Sequence, residues 1–220
     1  GGKNNVVIRK SAGTAITTAD ENTFVGHQAG LSTTTGSYNT FVGGYAGRDG
    51  TTGLGNTGLG YGAMFDGVVT GQYNTAVGSS AMEELTSGNN NTSVGREALK
   101  NNTTADANTA VGFHAAFSNT TGTETVAVGY HALKAQTTGA SNVAVGYLAG
   151  EDLTTGTDNT FIGTESGKNT TDRNHNTAVG NQTLFTNVNG AKNVAVGSGA
   201  LLLMNPAGDV DTYNVGVGYD

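Results

Sequence analysis

The sequence predicts an all-β chain folded as a parallel β-solenoid of about 13 coils with a 17-residue repeat, and three observations predict it. First, the pentapeptide NTAVG stands at 74–78, 108–112 and 176–180, with NTSVG at 91–95, NTFVG at 22–26 and NVAVG at 142–146 and 193–197. Second, copies counted from the first motif residue start at 5, 22, 39, 56, 74, 91, 108, 125, 142, 159, 176, 193 and 214, and ten of the twelve intervals are 17 residues. Third, the runs between glycines are too short for an isolated helix, whereas one unit suffices for a coil stacked on its neighbours at roughly 4.8 Å.

The columns of the repeat assign the elements. Position one is Asn in every copy but Thr125, so the amides are expected to hydrogen-bond from coil to coil at a corner. Position two is always Thr or Val and position four always Val, Ile or Leu, which makes them one face of a short strand. That face is expected to point into the coil, together with the Ala of position eight and the Gly, Met, Ala or Leu of position nine. Position five is Gly in every copy except the first, where it is Arg9, and marks a turn or a close backbone approach. A polar TTG or a variant of it, as at 34–36 and 154–156, closes the unit with turn chemistry.

Position three carries Ala, Gly or Ser in nine copies, Phe24, Phe41 and Phe161 in three, and Val7 in the first. Pointing opposite to positions two and four, it is expected to form an uncharged outward stripe. The inward set is thin for the backbone entropy each coil must offset, so a second buried surface is expected, supplied by a homotrimer packed through this stripe.

Composition narrows the partners. The 36 glycines do not fall at every third residue and Pro occurs once, which excludes collagen. A net charge of −7 without a run of Lys or Arg argues against nucleic acid. The absence of Cys removes disulfides and thiolate metal sites, and no cofactor is expected. The longest apolar stretch, Ala200–Met204, is far too short for a bilayer span, so no membrane insertion is expected. Residues 1–4 read as a tag or linker remnant, and 5–220 as one repeat domain cut within its last coil.

The units NTAVGSSAMEELTSGNN, NTSVGREALKNNTTADA and NVAVGYLAGEDLTTGTD resemble the NTAVGxxAL…TTG repeats of phage tail fibres and trimeric bacterial surface fibres. More distantly they are similar to the β-roll heads of trimeric autotransporter adhesins. The resemblance covers residues 5–220. It implies a homotrimeric, left-handed parallel β-roll forming the shaft or head of a non-enzymatic extracellular or virion fibre, which attaches to a glycan or other receptor on another cell surface.

In a stack whose invariant columns are structural, a site belongs in the variable ones. Position six places Phe113, Tyr130 and Tyr147 in consecutive coils, a ladder that suits the apolar faces of sugar rings or else holds neighbouring coils together at about 0.5–1.5 kcal/mol per pair. Position seven holds Glu97, His114 and His131, read as a solvated column or, if turned inward around a threefold axis, a metal set. The carboxylate pairs Glu83–Glu84, Glu151–Asp152 and Asp209 with Asp211 have no recognisable nucleophile or base beside them and read as loop charges. The 18-residue unit is expected to place its extra residue around Asp66–Val69. The 21-residue unit, with LLLMNPAGDVDTY, is expected to bulge as a loop or to seal the coil end through Leu201–Met204.

Overall fold

A computed structural model describes residues 2–208 and 210–219; Gly1, Asp209 and Asp220 lie outside the description. The contacts divide the chain into two compact units, one up to Asn108 and one from Thr109 onward. The first contains β1 (Val6–Ile8), β2 (Thr23–Val25), β3 (Thr40–Val42), β4 (Thr57–Leu59), β5 (Thr75–Val77) and β6 (Thr92–Val94). The second contains β7 (Thr109–Val111), β8 (Val126–Val128), β9 (Val143–Val145), β10 (Thr160–Ile162), β11 (Thr177–Val179), β12 (Gly190–Ala191), β13 (Val194–Val196), β14 (Val210–Asp211) and β15 (Val215–Val217). Every three-residue strand covers positions two to four. Within each unit successive repeat strands pair in parallel and like on like, as in Thr23 with Thr40, Phe24 with Phe41 and Val25 with Val42. The same holds for Val126 with Val143, Ala127 with Ala144 and Val128 with Val145. Both units are parallel β-solenoids.

The asparagine column is buried from Asn22 to Asn108 and from Asn142 to Asn193, with Asn5 half-buried and Asn214 exposed. Asn91 is representative: its Nδ2 donates to Asn74 Oδ1 at 3.0 Å and to the Ala105 carbonyl at 2.8 Å. Its backbone N–H also donates to Asn74 Oδ1, at 3.0 Å, and its own Oδ1 accepts from the Asn108 N–H at 2.9 Å. Each amide thus ties a turn of its own coil to the coil before and the coil after, which is why an uncharged polar side chain tolerates complete burial. Thr125, the one exception, is too short to make these bonds. Gln136 of the same coil takes over: its Nε2 donates to Thr125 Oγ1 at 2.9 Å, and its Oε1 accepts from Asn142 Nδ2 at 3.1 Å.

The strand faces are the reverse of the sequence expectation. Phe24, Ala76, Ser93, Ala110, Ala127, Ala144, Phe161, Ala178 and Ala195, all at position three, are fully buried, whereas positions two and four are half-buried or exposed. Position three points into the coil and the Thr-x-Val face points out. The physical reason is width. A 17-residue coil brings position three against position nine, and the two columns share one small space. Where position three is Phe, position nine is Gly: a Cβ on Gly30 would lie 2.6 Å from the Phe24 ring, and on Gly47 or Gly167 2.4 Å from Phe41 or Phe161. Where position three is Ala or Ser, a long side chain fills the gap in Ala76 with Met82, Ser93 with Leu99, Ala127 with Leu133 and Ala178 with Leu184, all buried, while Ala110 faces Ala116, and beside Ala144 the space at Gly150 is taken by Leu133 and Phe161 of the adjoining coils. Large-against-small pairing keeps the interior close-packed without widening the coil. Ala at position eight and a residue at position twelve, such as Leu85 or Leu153, complete the core.

The glycine at position five is dictated by its neighbour one coil on. Gly129 sits at φ +136°, and a Cβ there would come within 2.3 Å of the Gly146 carbonyl oxygen. The close approach lets Gly129 N–H reach the Val111 carbonyl at 2.8 Å. The extra residue of the 18-residue unit falls where the pattern places it. Asp66 N–H still donates to Glu83 O, in ordinary register, and register is restored by Thr70, whose N–H donates to Thr86 O. Val69 takes the buried position while Val68 is exposed. In the 21-residue unit, Leu201 packs where a Cβ on Gly216 would stand, and the chain then leaves the coil to pair β14 with β12.

Replacing Gln136 with Leu, a residue that occupies this column as Leu85 and Leu153, should leave the Asn142 amide short of an acceptor and lower stability by about 1–3 kcal/mol. Adding Thr125→Asn to that variant should restore most of the loss. Thermal melts of the two single variants and the double variant check it, and purely additive losses would disprove the coupling.

Candidate functional site

The variable columns six and seven follow the position-five turn, and the two units use them differently. In the first unit the rings pack edge to face: His27 against Tyr45 at 5.1 Å and 88°, Tyr45 against Tyr61 at 5.6 Å and 81°, and Tyr45 against Phe65 at 5.5 Å and 70°. The Arg48 guanidinium lies 3.9 Å from the Phe65 ring centre. Gly44 and Gly62 in these columns leave room for Tyr45 and Tyr61 to tilt.

In the second unit the rings are near parallel. Phe113 and Tyr130, and then Tyr130 and Tyr147, stand 5.4 Å apart with interplanar angles of 22° and 18°. The adjacent column adds His114 and His131, themselves 5.2 Å apart at 9°. Each histidine lies close to its sequence neighbour, 3.8 Å for Phe113–His114 and 3.9 Å for Tyr130–His131. Phe113, Tyr130 and Tyr147 are therefore brought together as one ladder. The five-ring assembly was only half visible in the sequence, where columns six and seven read as separate features.

Of the position-seven residues, His114 and His131 stack in the second unit at 5.2 Å. Glu97, in the first unit, pairs with Arg96 at 2.9 Å, while His131 Nδ1 meets Glu151 Oε1 at 3.0 Å. Among the described residues no group of three His, Asp or Glu side chains is arranged to hold a metal ion. The carboxylates have cationic neighbours: Glu83 with Lys100 at 3.5 Å, Glu151 with Lys168 at 3.8 Å and Asp211 with Lys192 at 2.6 Å. The hydrogen bond from Lys192, joined by the Tyr213 hydroxyl, holds the Asp211 carboxyl below its ordinary pKa. Asp209 lies outside the described residues. Leu201–Met204 and Gly216–Tyr219 border an open, largely apolar groove of about 480 Å³ at the 21-residue unit.

No helix among the described residues is long and apolar enough to cross a membrane. No family model, no curated protein and no solved structure matches the chain. What the coordinates define is a class: a parallel β-solenoid repeat protein whose variable columns carry its surface chemistry.

Because the aromatic ladder lies outside the packed interior, Tyr147→Ser should leave the fold intact and lower stability by only about 0.5–1.5 kcal/mol, the worth of one ring pair. Circular dichroism and a thermal melt measure both. A loss of several kcal/mol would make Tyr147 a core residue.

Proposed function

We propose that the chain is a non-catalytic segment, shaft or head, of an extracellular or virion attachment fibre, assembled as a homotrimer of left-handed β-rolls and directed at a glycan or other receptor on another cell. The observation that carries this reading is the outward strand face. Positions two and four present Thr or Val beside Val, Ile or Leu in coil after coil, with no charged residue in either column. Ile8 and Leu59 in the first unit, and Val111, Ile162 and Val196 in the second, are between about a third and a half exposed. A solvated sheet face ordinarily carries charge, which keeps it from pairing with another surface. This face carries none.

A second copy of the same chain suits it best. Its coil spacing and its column order are the same on every copy, so like faces meet in register along their length, and closed cyclic symmetry covers each face without leaving an open one. Three copies, rather than two, follow from the resemblance of the repeats to trimeric fibres. The surface through which the copies pack is therefore the second and fourth columns and not the third, which is buried within each chain.

Light scattering at micromolar concentration should give three times the chain mass of 22.1 kDa. The informative substitution is Val145→Glu. On a single chain this side chain is half-buried and a glutamate there can reach water. In the trimer three carboxylates would be desolvated together, at a cost of several kcal/mol. The variant should keep its β-solenoid circular dichroism but sediment as a monomer. Ala127→Glu, by contrast, should unfold the coil, since Ala127 is fully buried within the chain. A wild-type mass of one chain, or a Val145→Glu variant that stays trimeric, would refute the interface.

A further inference from the structure

Resting on the glycan-attachment reading, the ring stack of the second unit has an end, and the end specifies how much of a glycan it takes. Phe113, Tyr130 and Tyr147 stack from one coil to the next, each step 5.4 Å between ring centres. Tyr130 lies within the stack, with Phe113 before it, Tyr147 after it and His131 at 3.9 Å. Tyr147 ends it. Its ring neighbour among the described residues is Tyr130, so the face turned away from Tyr130 has no ring upon it. The next coil is fixed directly beyond. Glu165 N–H donates to the Tyr147 carbonyl at 2.8 Å, which puts Thr164 in the rung that a fourth ring would hold. A threonine side chain ends at Oγ1 and Cγ2 and does not reach as far as a tyrosine ring, and Thr164 is exposed. The result is a step one ring deep beside Tyr147, which is 51% exposed.

The lining of this step suits a neutral, hydroxyl-bearing ligand. Thr164 contributes a hydroxyl, which both donates and accepts. Asn181, one coil further in the same column, is also exposed, and its Nδ2 donates to the Thr164 carbonyl at 3.4 Å, so the amide lies beside the step with Oδ1 as a further acceptor. The charges alongside are matched with one another. Glu165 accepts from Gln182 Nε2 at 2.8 Å and lies 3.6 Å from Lys168. Glu151 meets Lys168 at 3.8 Å and His131 at 3.0 Å. A charged ligand of either sign would have to break one of these pairs to gain a partner of its own.

We propose that the step at Tyr147 binds one uncharged pyranose of a glycan, its apolar C–H face against the open face of Tyr147 and its hydroxyls toward Thr164 and Asn181. The sugar continues the stack as its next rung. Beyond Thr164 the column carries Asn181 and Ser198, with no ring on which a second sugar could lie in the same way, so recognition is of a single residue. Column six is separate from columns two and four, through which the copies pack, so a trimer carries the step three times and gains by multivalency on a densely glycosylated surface.

The test is a titration of the full chain, followed by its aromatic NMR signals, with the methyl β-glycosides of glucose, galactose and N-acetylglucosamine. Cellobiose, lactose and chitobiose are the two-ring counterparts, and tetramethylammonium is the probe for a cation-binding face. At least one methyl glycoside should bind and shift the Tyr147 signals, and its two-ring counterpart should bind within about threefold of it. Thr164→Leu fills the rung over Tyr147 while leaving the ring in place. It should weaken binding about fivefold or more, as should Tyr147→Ser, whereas Tyr147→Phe keeps the face and most of the binding. Column six already holds Ser79 and Ser198, and circular dichroism of the variants should match the wild type. Binding that is absent for all three glycosides, much tighter for the two-ring sugars, indifferent to Thr164→Leu, or weaker than that of tetramethylammonium would overturn the proposal. The mass of the same sample separates the two readings: a trimer that binds none of the glycosides removes the step and leaves the fibre, and a monomer that binds one removes the trimer and leaves the step.

Discussion

One buried side-chain amide per coil sets the geometry on which everything else rests. Nδ2 and Oδ1 of the position-one asparagine bond in fixed directions to the coil before, the coil after and a turn of the same coil, so the axial step and the register are decided together. A sheet held only by apolar contacts could slip by a residue and exchange its faces. The asparagine column prevents this, because a slip would leave an amide buried without partners. Where Thr125 breaks the column, Gln136 supplies the missing acceptor to Asn142 Nδ2 from a different position. The requirement therefore lies in the amide and its location, and not in the identity of the residue that delivers it.

Fixed register converts each sequence column into a spatial row, and this is why so much of the fold was legible. The period, the three-residue strands, the turn glycine, the corner amides and the place of the extra residue near Val69 all follow from columns read downward. The strand faces did not follow. β-Branching favours Val and Thr over Ala for the inner face of a strand, but the interior of a 17-residue coil is narrow, and position three holds either a small residue or a Phe matched by glycine. The signal that decides it was present across columns and not within one: Phe24, Phe41 and Phe161 occur with Gly30, Gly47 and Gly167, while Ala127 and Ala178 occur with Leu133 and Leu184. Compensation of volume between two columns is a statement that they share one space.

The site was legible to a similar depth, and for a related reason. Consecutive aromatics at Phe113, Tyr130 and Tyr147 must approach one another once the register is known. Their orientation is another matter. In the first unit, glycines interrupt the two columns, and Tyr45 turns edge-on to three rings. In the second unit His114 and His131 stack on Phe113 and Tyr130, and a ring stacked on another cannot tilt without losing that contact. Parallel stacking thus depends on pairs of adjacent columns, which single-column reading does not weigh.

The same separation of columns explains how a monotonous chain accommodates function. Positions one, three, five, eight and nine face into the coil or against the next backbone, so a change in any of them disturbs two neighbouring coils as well as its own. Positions six and seven lie beyond the turn and are free of that constraint, as is position ten with Arg48, Glu83, Lys100, Glu151 and Lys168, and these columns vary in chemistry from coil to coil. The outward face at positions two and four obeys neither rule. It is solvent-facing on the single chain, yet as uniform and uncharged as the interior. A surface that varies as little as a core is under a core's constraint, and a matching face on another copy of the chain is a surface able to impose it.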